Sequence, residues 1–164
     1  MFQLLEATTM DQLNGARTLF REYEKSLGIS LCFQNFEEEL KNLPGDYAAP
    51  GGALLLAFRD GQLAGCCALR PLKESKYLHA AEMKRLYVRP AFRGQGIARL
   101  LVTGILSEAA TKGYASIVLD TLKSMTEAHL LYRSLGFEEI PAYYENPMEG
   151  ARYMKLDLAA SGLR

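Results

Sequence analysis

One stretch of the chain, from Glu82 to Leu106, constrains the fold more than any other. Residues 83–88 combine aliphatic, aromatic and β-branched side chains, and a proline two residues later ends the predicted strand because proline lacks the ladder N–H. Apolar residues then recur with a helical period over 97–105. Gly94 and Gly96 therefore lie in a turn before a helix N-terminus, where free N–H groups and the helix dipole attract an anion. This arrangement predicts a phosphate or pyrophosphate site.

Two familiar phosphate-binding motifs fit this turn poorly. A P-loop requires Lys and then Ser or Thr after its last glycine, and neither glycine here is followed by Lys. A dinucleotide fingerprint requires a third glycine, but Arg99 occupies that place, although Asp120 does end the next apolar run. Neither motif identifies the ligand.

Two other patterns are more informative. Arg93, Gly96 and Ala98 follow the pattern Arg or Gln, two residues, Gly, any residue, Gly or Ala. Tyr132 is followed, after three residues, by Gly136-Phe137. These patterns resemble the acyl-CoA loop and the closing signature of the GNAT superfamily of N-acetyltransferases, at the separation that the family has.

The resemblance implies an α/β (α+β) fold with a mixed, mostly antiparallel central sheet of six to seven strands and about four flanking helices. A splayed parallel strand pair holds the cofactor in this fold. Residues 81–88 resemble the family's fourth strand and 96–112 its third helix. One departure is Met125, which stands seven residues before Tyr132, where the family often carries an Asn that contacts the cofactor.

The remaining helices are predicted from capping pairs and apolar periodicity. Thr9 with Gln12, Asn35 with Glu38, and Ser124 with Glu127 each have capping-box spacing. They predict helices over 13–27, from 35 to about 43, and over 128–135.

The remaining strands are predicted from apolar runs and turns. Asp60-Gly61 is a strong hairpin signal between two apolar runs. A helical crossover should place 117–119 parallel to the strand before it. The further predicted strands are 2–7, 53–58, 62–69, 137–140 and 153–158.

Composition limits the kind of protein. The chain of 164 residues suits one domain, predicted over 1–158 with a loose tail over 159–164. Lys plus Arg and Asp plus Glu both number 19, so no net charge favours nucleic acid or an anionic membrane. Adjacent Cys66 and Cys67 would point to opposite faces of a strand and Cys32 is alone, which favours a reducing cytoplasm. No apolar run is long enough to span a bilayer.

Acetyl transfer requires an amine to lose a proton before it attacks the thioester. Glu82 lies where several family members carry a general-base glutamate, and its alternative is a carboxylate that pairs with Lys84, Arg85 or an exposed neighbour. Tyr132 resembles the tyrosine that faces the CoA sulfur as a general acid, and its alternative is a packed ring. The family works by direct transfer in a ternary complex, without a covalent acyl-enzyme.

The resemblance implies acetyl-CoA as the acyl-donor cosubstrate. A bulge in the fourth strand would free backbone N–H groups for the pantetheine arm and the thioester carbonyl, and Arg99 could reach the 3′-phosphate or stay solvated. The residues implied in cofactor binding are Leu86, Tyr87 and Val88 in the strand, and Arg93, Gly94, Gln95, Gly96, Ile97, Ala98 and Arg99 in the turn and helix. No metal is expected, because His79 and His129 lack ligand partners at metal spacing.

The acceptor amine is less constrained. The loop 141–147 lies where related enzymes often wall the substrate site, and Tyr143 or Tyr144 would suit a small amine or amino-acid-like molecule. In extended chain only one of these tyrosines should face the pocket. Phe33 is a further candidate wall residue. A small-molecule N-acetyltransferase is favoured over a protein or peptide N-acetyltransferase and over a non-catalytic acyl-CoA-binding module, as a monomer or homodimer.

Overall fold

The computed structural model describes residues 1–28, 30–73 and 75–159. Four α-helices flank one sheet. The helices are α1 (Met10–Leu27), α2 (Phe36–Lys41), α3 (Ile97–Thr111) and α4 (Thr126–Ser134). The strands are β1 (Phe2–Glu6), β2 (Ala53–Arg59), β3 (Gln62–Pro71), β4 (Ala80–Val88), β5 (Ser116–Leu122), β6 (Glu138–Ile140) and β7 (Ala151–Asp157).

The seven strands form one sheet in the order β1-β2-β3-β4-β5-β7-β6. Every neighbouring pair is antiparallel except β4 and β5, which α3 connects as a parallel crossover. The predicted fold class is therefore confirmed, including the parallel pair in a mostly antiparallel sheet.

The parallel pair separates partway along its length, and this separation creates the space for a site. β4 and β5 pair only over Ala80–Glu82 and Ser116–Val118. Beyond that point β5 continues to pair with β7, while β4 stays with β3. Arg85 has φ 62°, and the β3–β4 register shifts beside it, so a bulge bends β4 away from β5.

Both faces of the sheet are covered by apolar cores. α3 and α4 pack on one face, around Leu101 and Ile105, and α1 and α2 cover the other face, around Phe20 and Phe36. Cys66 belongs to the α1 side and adjacent Cys67 to the α3 side, as strand alternation predicts. The two thiols are buried and free.

The capping predictions had mixed outcomes. Thr9 and Gln12 form a complete capping box at α1, as predicted. The box predicted at Asn35 is wrong, because Asn35 takes φ 56° and its side chain makes no capping hydrogen bond. The Ser124–Glu127 box is also wrong, since the N-cap of α4 is Met125 without a side-chain bond.

None of the helices in the described parts of the chain has the length and apolar character needed to cross a membrane. Most of the tail predicted from residue 159 lies outside the described residues, as does the side chain of Phe33.

Candidate active site

A groove of about 600 Å³ opens where β4 ends and α3 begins. Its walls come from the end of β4, the turn before α3, the start of α4 and the C-terminal half of α1. The residues that line it include Tyr23, Leu86, Tyr87, Val88, Arg93, Gly94, Gly96, Ile97, Ala98, Arg99, Met125 and Leu131. Every residue predicted for cofactor binding except Gln95 therefore borders one groove.

The turn before α3 has the geometry of an anion site. Gly94 and Gly96 have φ of 76° and 83°, in the left-handed region that favours glycine. A Cβ built on either glycine meets nothing within 4 Å, so the protein itself leaves this space open. Gly96 is the N-cap of α3 and provides no side-chain cap, which leaves the first N–H groups of the helix for a ligand.

The long polar side chains around this turn have separate partners. Arg93 donates from Nε to the carbonyl oxygen of Val88 at 2.9 Å, and its guanidinium lies 5.9 Å from the ring centroid of Tyr87. Arg99 is part of the groove wall, and its Nη2 donates a hydrogen bond of 2.8 Å to Ser134 Oγ. Gln95 turns away and accepts from Arg59, so its side chain does not border the groove.

A narrow cavity of about 70 Å³ continues from the groove into the opening between β4 and β5. The cavity and the groove adjoin each other, because both are lined by Tyr23, Leu86, Met125 and Ala128. Tyr132 also lines this cavity. Its ring packs against Phe137 at 5.6 Å between centroids, and burial raises the pKa of its hydroxyl well above the ordinary value.

A third space, of about 440 Å³, lies on the α2 side of the sheet. It shares Gln34 and Lys84 with the narrow cavity, so the three spaces lie next to one another along the opening between β4 and β5, and we call this row of spaces the path. Its walls come from β3, β4 and the loop before β7. The residues that line it include Asp46, Arg70, Lys73, Glu82, Tyr143, Tyr144 and Glu145. We call this space the acceptor pocket.

Both loop tyrosines face the acceptor pocket, so the expectation that only one would do so is wrong. The chain bends at Tyr143 and Tyr144 and is not extended there. Their rings and that of Tyr153 form three edge-on pairs, with centroids 5.3 to 5.7 Å apart. Burial, together with the charge of Glu82, raises the pKa of Tyr143, so this hydroxyl keeps its proton and can donate.

Glu82 lies between these tyrosines and β3. Its side chain is 3% exposed. Oε1 accepts from Arg70 Nε at 2.9 Å and lies 2.8 Å from Arg70 Nη2, and Oε2 accepts from the Tyr143 hydroxyl at 2.6 Å. Glu82 borders the acceptor pocket but not the narrow cavity beside Tyr132.

Two residues that the sequence analysis did not assign to a site, Asp120 and Tyr23, complete the centre of the path. Asp120 lines the narrow cavity, accepts from the Tyr144 hydroxyl at 2.8 Å and lies 3.6 Å from Lys84 Nζ. Tyr23 borders both the groove and the narrow cavity, and burial raises its pKa to about 12. The sequence did contain one signal for Asp120. A carboxylate next to the apolar residues of β5 is costly to bury unless a polar partner lies nearby.

The predicted site residues thus divide between two ends of one path. The cofactor-binding candidates lie at the groove, Tyr132 lies in the middle, and Glu82, Tyr143 and Tyr144 lie at the acceptor pocket. No cluster of three or more His, Cys, Asp or Glu side chains that could hold a metal occurs within the described ranges. The roles of the individual residues stay predictions.

Comparison with known proteins agrees with this geometry. Residues 16–137 match the sequence model of the Acetyltransferase (GNAT) family. An uncharacterized N-acetyltransferase of Schizosaccharomyces pombe is 40% identical over 149 residues, which cover 90% of this chain and 89% of the relative. The human N-acetylaspartate synthetase is 37% identical over 93 residues, 57% of this chain and 30% of the relative.

The fold comparison points the same way. The PaiA N-acetyltransferase of Thermoplasma acidophilum, whose structure is in complex with coenzyme A, superposes with a TM-score of 0.71. It has 17% sequence identity, and the match covers 96% of this chain and 99% of that one. The chain belongs to the GNAT family of acetyltransferases, whose members use acetyl-CoA for N-acetyl transfer.

Proposed function

We propose that this protein transfers the acetyl group of acetyl-CoA to the primary amine of a small molecule by direct attack in a ternary complex. The observation that supports this most strongly is the path through the sheet. The groove, the narrow cavity and the acceptor pocket share lining residues, so a donor at one end and an acceptor at the other would meet beside Tyr132.

The groove suits the donor. The open space beside Gly94 and Gly96 and the uncapped N-terminus of α3 fit a pyrophosphate, with Arg93 beside them as a cation. Leu86 and Val88 offer the edge of β4 to the pantetheine arm, because β4 has left its parallel partner there. Acetyl-CoA supplies an activated acyl carbon and a thiolate leaving group. This chain supplies the contacts that orient the donor.

Tyr132 is the proposed acid. Tyr132 lines the narrow cavity, and burial holds the pKa of its hydroxyl well above the usual range and keeps it protonated at neutral pH. A protonated phenol there can donate to the departing thiolate. Met83 and Leu119 line the same cavity and exclude water around the transfer.

Two carboxylates could take the proton of the acceptor amine, and their surroundings differ. Glu82 accepts hydrogen bonds from Arg70 Nε and from the Tyr143 hydroxyl, has Arg70 Nη2 at 2.8 Å, and does not line the narrow cavity. Asp120 lines that cavity, and among the described residues its Oδ1 accepts no hydrogen bond and lies 3.6 Å from Lys84 Nζ. We propose Asp120 as the base, acting directly or through one water, with Glu82 as the alternative.

The size of the acceptor pocket favours a small molecule over a protein. Its volume of about 440 Å³ is within the range of small-ligand sites, and the loop with Tyr143 and Tyr144 forms one wall. A relative named N-acetylaspartate synthetase supports an acceptor of this size, since N-acetylaspartate is an N-acetylated amino acid.

The test is release of CoA thiol from acetyl-CoA in the presence of two sets of acceptors, free small amines and peptides with a free N-terminus or lysine. We expect turnover with at least one small amine and a much lower kcat/KM with every peptide. Better turnover with peptides would identify a peptide N-acetyltransferase. Tight acetyl-CoA binding without turnover of any acceptor would identify a non-catalytic acyl-CoA-binding module.

A further inference from the structure

Around the acceptor pocket, Glu82 and Asp120 accept hydrogen bonds from the protein, whereas Lys84 Nζ and Arg70 Nη1 donate none to the described residues. Glu82 accepts from Arg70 through Oε1 and from Tyr143 through Oε2. Asp120 accepts from the Tyr144 hydroxyl through Oδ2, so only its Oδ1 edge is open. The carboxylates are therefore nearly filled by the protein itself.

Lys84 is the clearest case of a cation whose N–H groups lack hydrogen-bond acceptors among the described residues. Its side chain is 4% exposed and borders both the narrow cavity and the acceptor pocket. Its Nζ makes no hydrogen bond to any residue that the structure describes; the nearest oxygens are Asp120 Oδ1 at 3.6 Å and Glu82 Oε2 at 4.0 Å. An ammonium has three N–H donors, so those of Lys84 Nζ are available to an acceptor that enters the pocket.

Arg70 also has an N–H group that donates no hydrogen bond to the described residues. Its Nε and Nη2 both contact Glu82 Oε1, at 2.9 and 2.8 Å. Within the described part of the chain Nη1 makes no hydrogen bond, and the side chain is 31% exposed where it borders the acceptor pocket. Two cationic groups therefore offer unused donors to one space.

Arg85 shows that the fold can satisfy a buried cation when it needs to. Its Nε and Nη2 each donate to Glu39 at 2.9 Å, and its Nη1 donates to Gln34 at 2.9 Å. All three nitrogens of that guanidinium have partners. The open donors of Lys84 and Arg70 are thus a local property of the acceptor pocket.

We infer that Lys84 and Arg70 form a carboxylate subsite, and that the acceptor is an α-amino acid or a close analogue. The inference rests on the proposed acetyl transfer. An anionic oxygen would fill the open donors of Lys84 Nζ and Arg70 Nη1, whereas a simple alkyl amine would leave both unfilled. The amine of the same molecule would lie at the open Oδ1 of Asp120.

The spacing favours an acceptor whose two charges are close together. Asp120 Oδ1 and Lys84 Nζ are only 3.6 Å apart, so an amine beside one and a carboxylate beside the other must be separated by a short linker. A single carbon separates these groups in an α-amino acid. The ring of Tyr144 lies 5.8 Å from Lys84 Nζ, so the tyrosines form a wall beside the proposed subsite. The side chain of the acceptor would therefore point towards the pocket mouth.

The test compares matched acceptors on the wild type and on Lys84→Met, with CoA thiol release as the readout. The acceptors are L-amino acids, their carboxamides, and the alkyl amines that lack the carboxyl carbon. For the wild type we expect kcat/KM about 10- to 100-fold higher for the acid than for its amide, as one charge-assisted contact is lost. The acid form also has the less acidic ammonium, so this ratio understates the preference.

Lys84→Met should remove most of that preference while Lys84→Arg, which keeps the charge, retains part of it. Lys112→Met is the matched control, because Lys112 is also a lysine of low exposure, lies 3.3 Å from a carboxylate oxygen of Glu108, and is at the far end of α3. Its acid-to-amide ratio should equal that of the wild type. An equal loss of turnover with acids and amides in Lys84→Met would overturn the subsite, since a merely structural or general catalytic role changes both alike.

The two proposals fail differently. Turnover that is faster with amides or alkyl amines than with acids contradicts the carboxylate subsite but leaves the acetyltransferase activity in place. Absence of turnover with every amine in the panel contradicts the proposed function and the subsite with it.

Discussion

Replacing Gly96 with Val should abolish acetyl-CoA binding at a limited cost in stability. Gly96 has φ 83°, and a side chain there costs roughly 1–2 kcal/mol because the left-handed region crowds Cβ. A Cβ added at Gly96 meets no protein atom within 4 Å, so its contacts add nothing to this cost. The added side-chain atoms occupy the open space where we propose that the pyrophosphate lies.

The size of the expected signal follows from the length of the chain. Acetyl-CoA at about 100 times its Kd should stabilise the wild type by about 2.7 kcal/mol. Unfolding entropy of about 2.1 cal/mol/K per residue over 164 residues gives about 0.34 kcal/mol/K, so Tm should rise by about 8 °C. The assay is thermal unfolding with and without acetyl-CoA, and with NAD as a comparison ligand.

Gly113→Val is the matched control for backbone strain. Gly113 lies at the other end of α3, has φ 86° and also has open space around an added Cβ. Both variants should lose similar stability without ligand, but only Gly96→Val should lose the shift of about 8 °C. If Gly96→Val keeps the full shift, or if NAD gives a larger shift than acetyl-CoA, the assignment of the groove is wrong.

Three further predictions concern the centre and the acceptor end of the path. Asp120→Asn should lower kcat about 10²- to 10⁴-fold at neutral pH, and its kcat should recover in part at high pH, where free amine is abundant. A larger loss of kcat in Glu82→Gln would make Glu82 the base in place of Asp120. Tyr143→Phe should raise the acceptor KM and leave the Kd of acetyl-CoA unchanged, and titration of each ligand separately checks this. Stability should fall between about pH 10 and 12, because the unfolded chain releases the Tyr23 proton near 10 while the fold holds it to about 12. Urea unfolding at pH 8 and 11 should show a difference that Tyr23→Phe reduces by roughly 1–2 kcal/mol, and an unchanged difference would contradict the burial argument.

Local signals predicted most of the fold. The capping box at Thr9, the hairpin at Asp60-Gly61 and the glycine turn before α3 each depend on residues within a few positions of one another. Such signals can be recognised in the sequence without knowledge of the tertiary structure. Where the local rule failed, at Asn35, the short α2 begins after a residue in the left-handed region.

The acceptor end could not be predicted in the same way. The contact between Glu82 and Arg70 depends on the register of β3 against β4, and Asp120 meets Lys84 because the parallel register of β4 and β5, continued past its three paired residues, places position 84 opposite position 120. The bend that brings both Tyr143 and Tyr144 to the pocket is likewise set by rings packed on Tyr153. These contacts join distant parts of the chain, and no local pattern encodes them.

The central claim is that transfer takes place beside Tyr132, at the junction of the donor groove and the acceptor pocket. The most direct test is to measure kcat and the Kd of acetyl-CoA for Tyr132→Phe, with the best amine from the acceptor panel. Phe keeps the ring that packs on Phe137 and removes only the hydroxyl. The account predicts that kcat falls about 10²-fold or more while the Kd stays within about twofold. Unchanged kcat would contradict it.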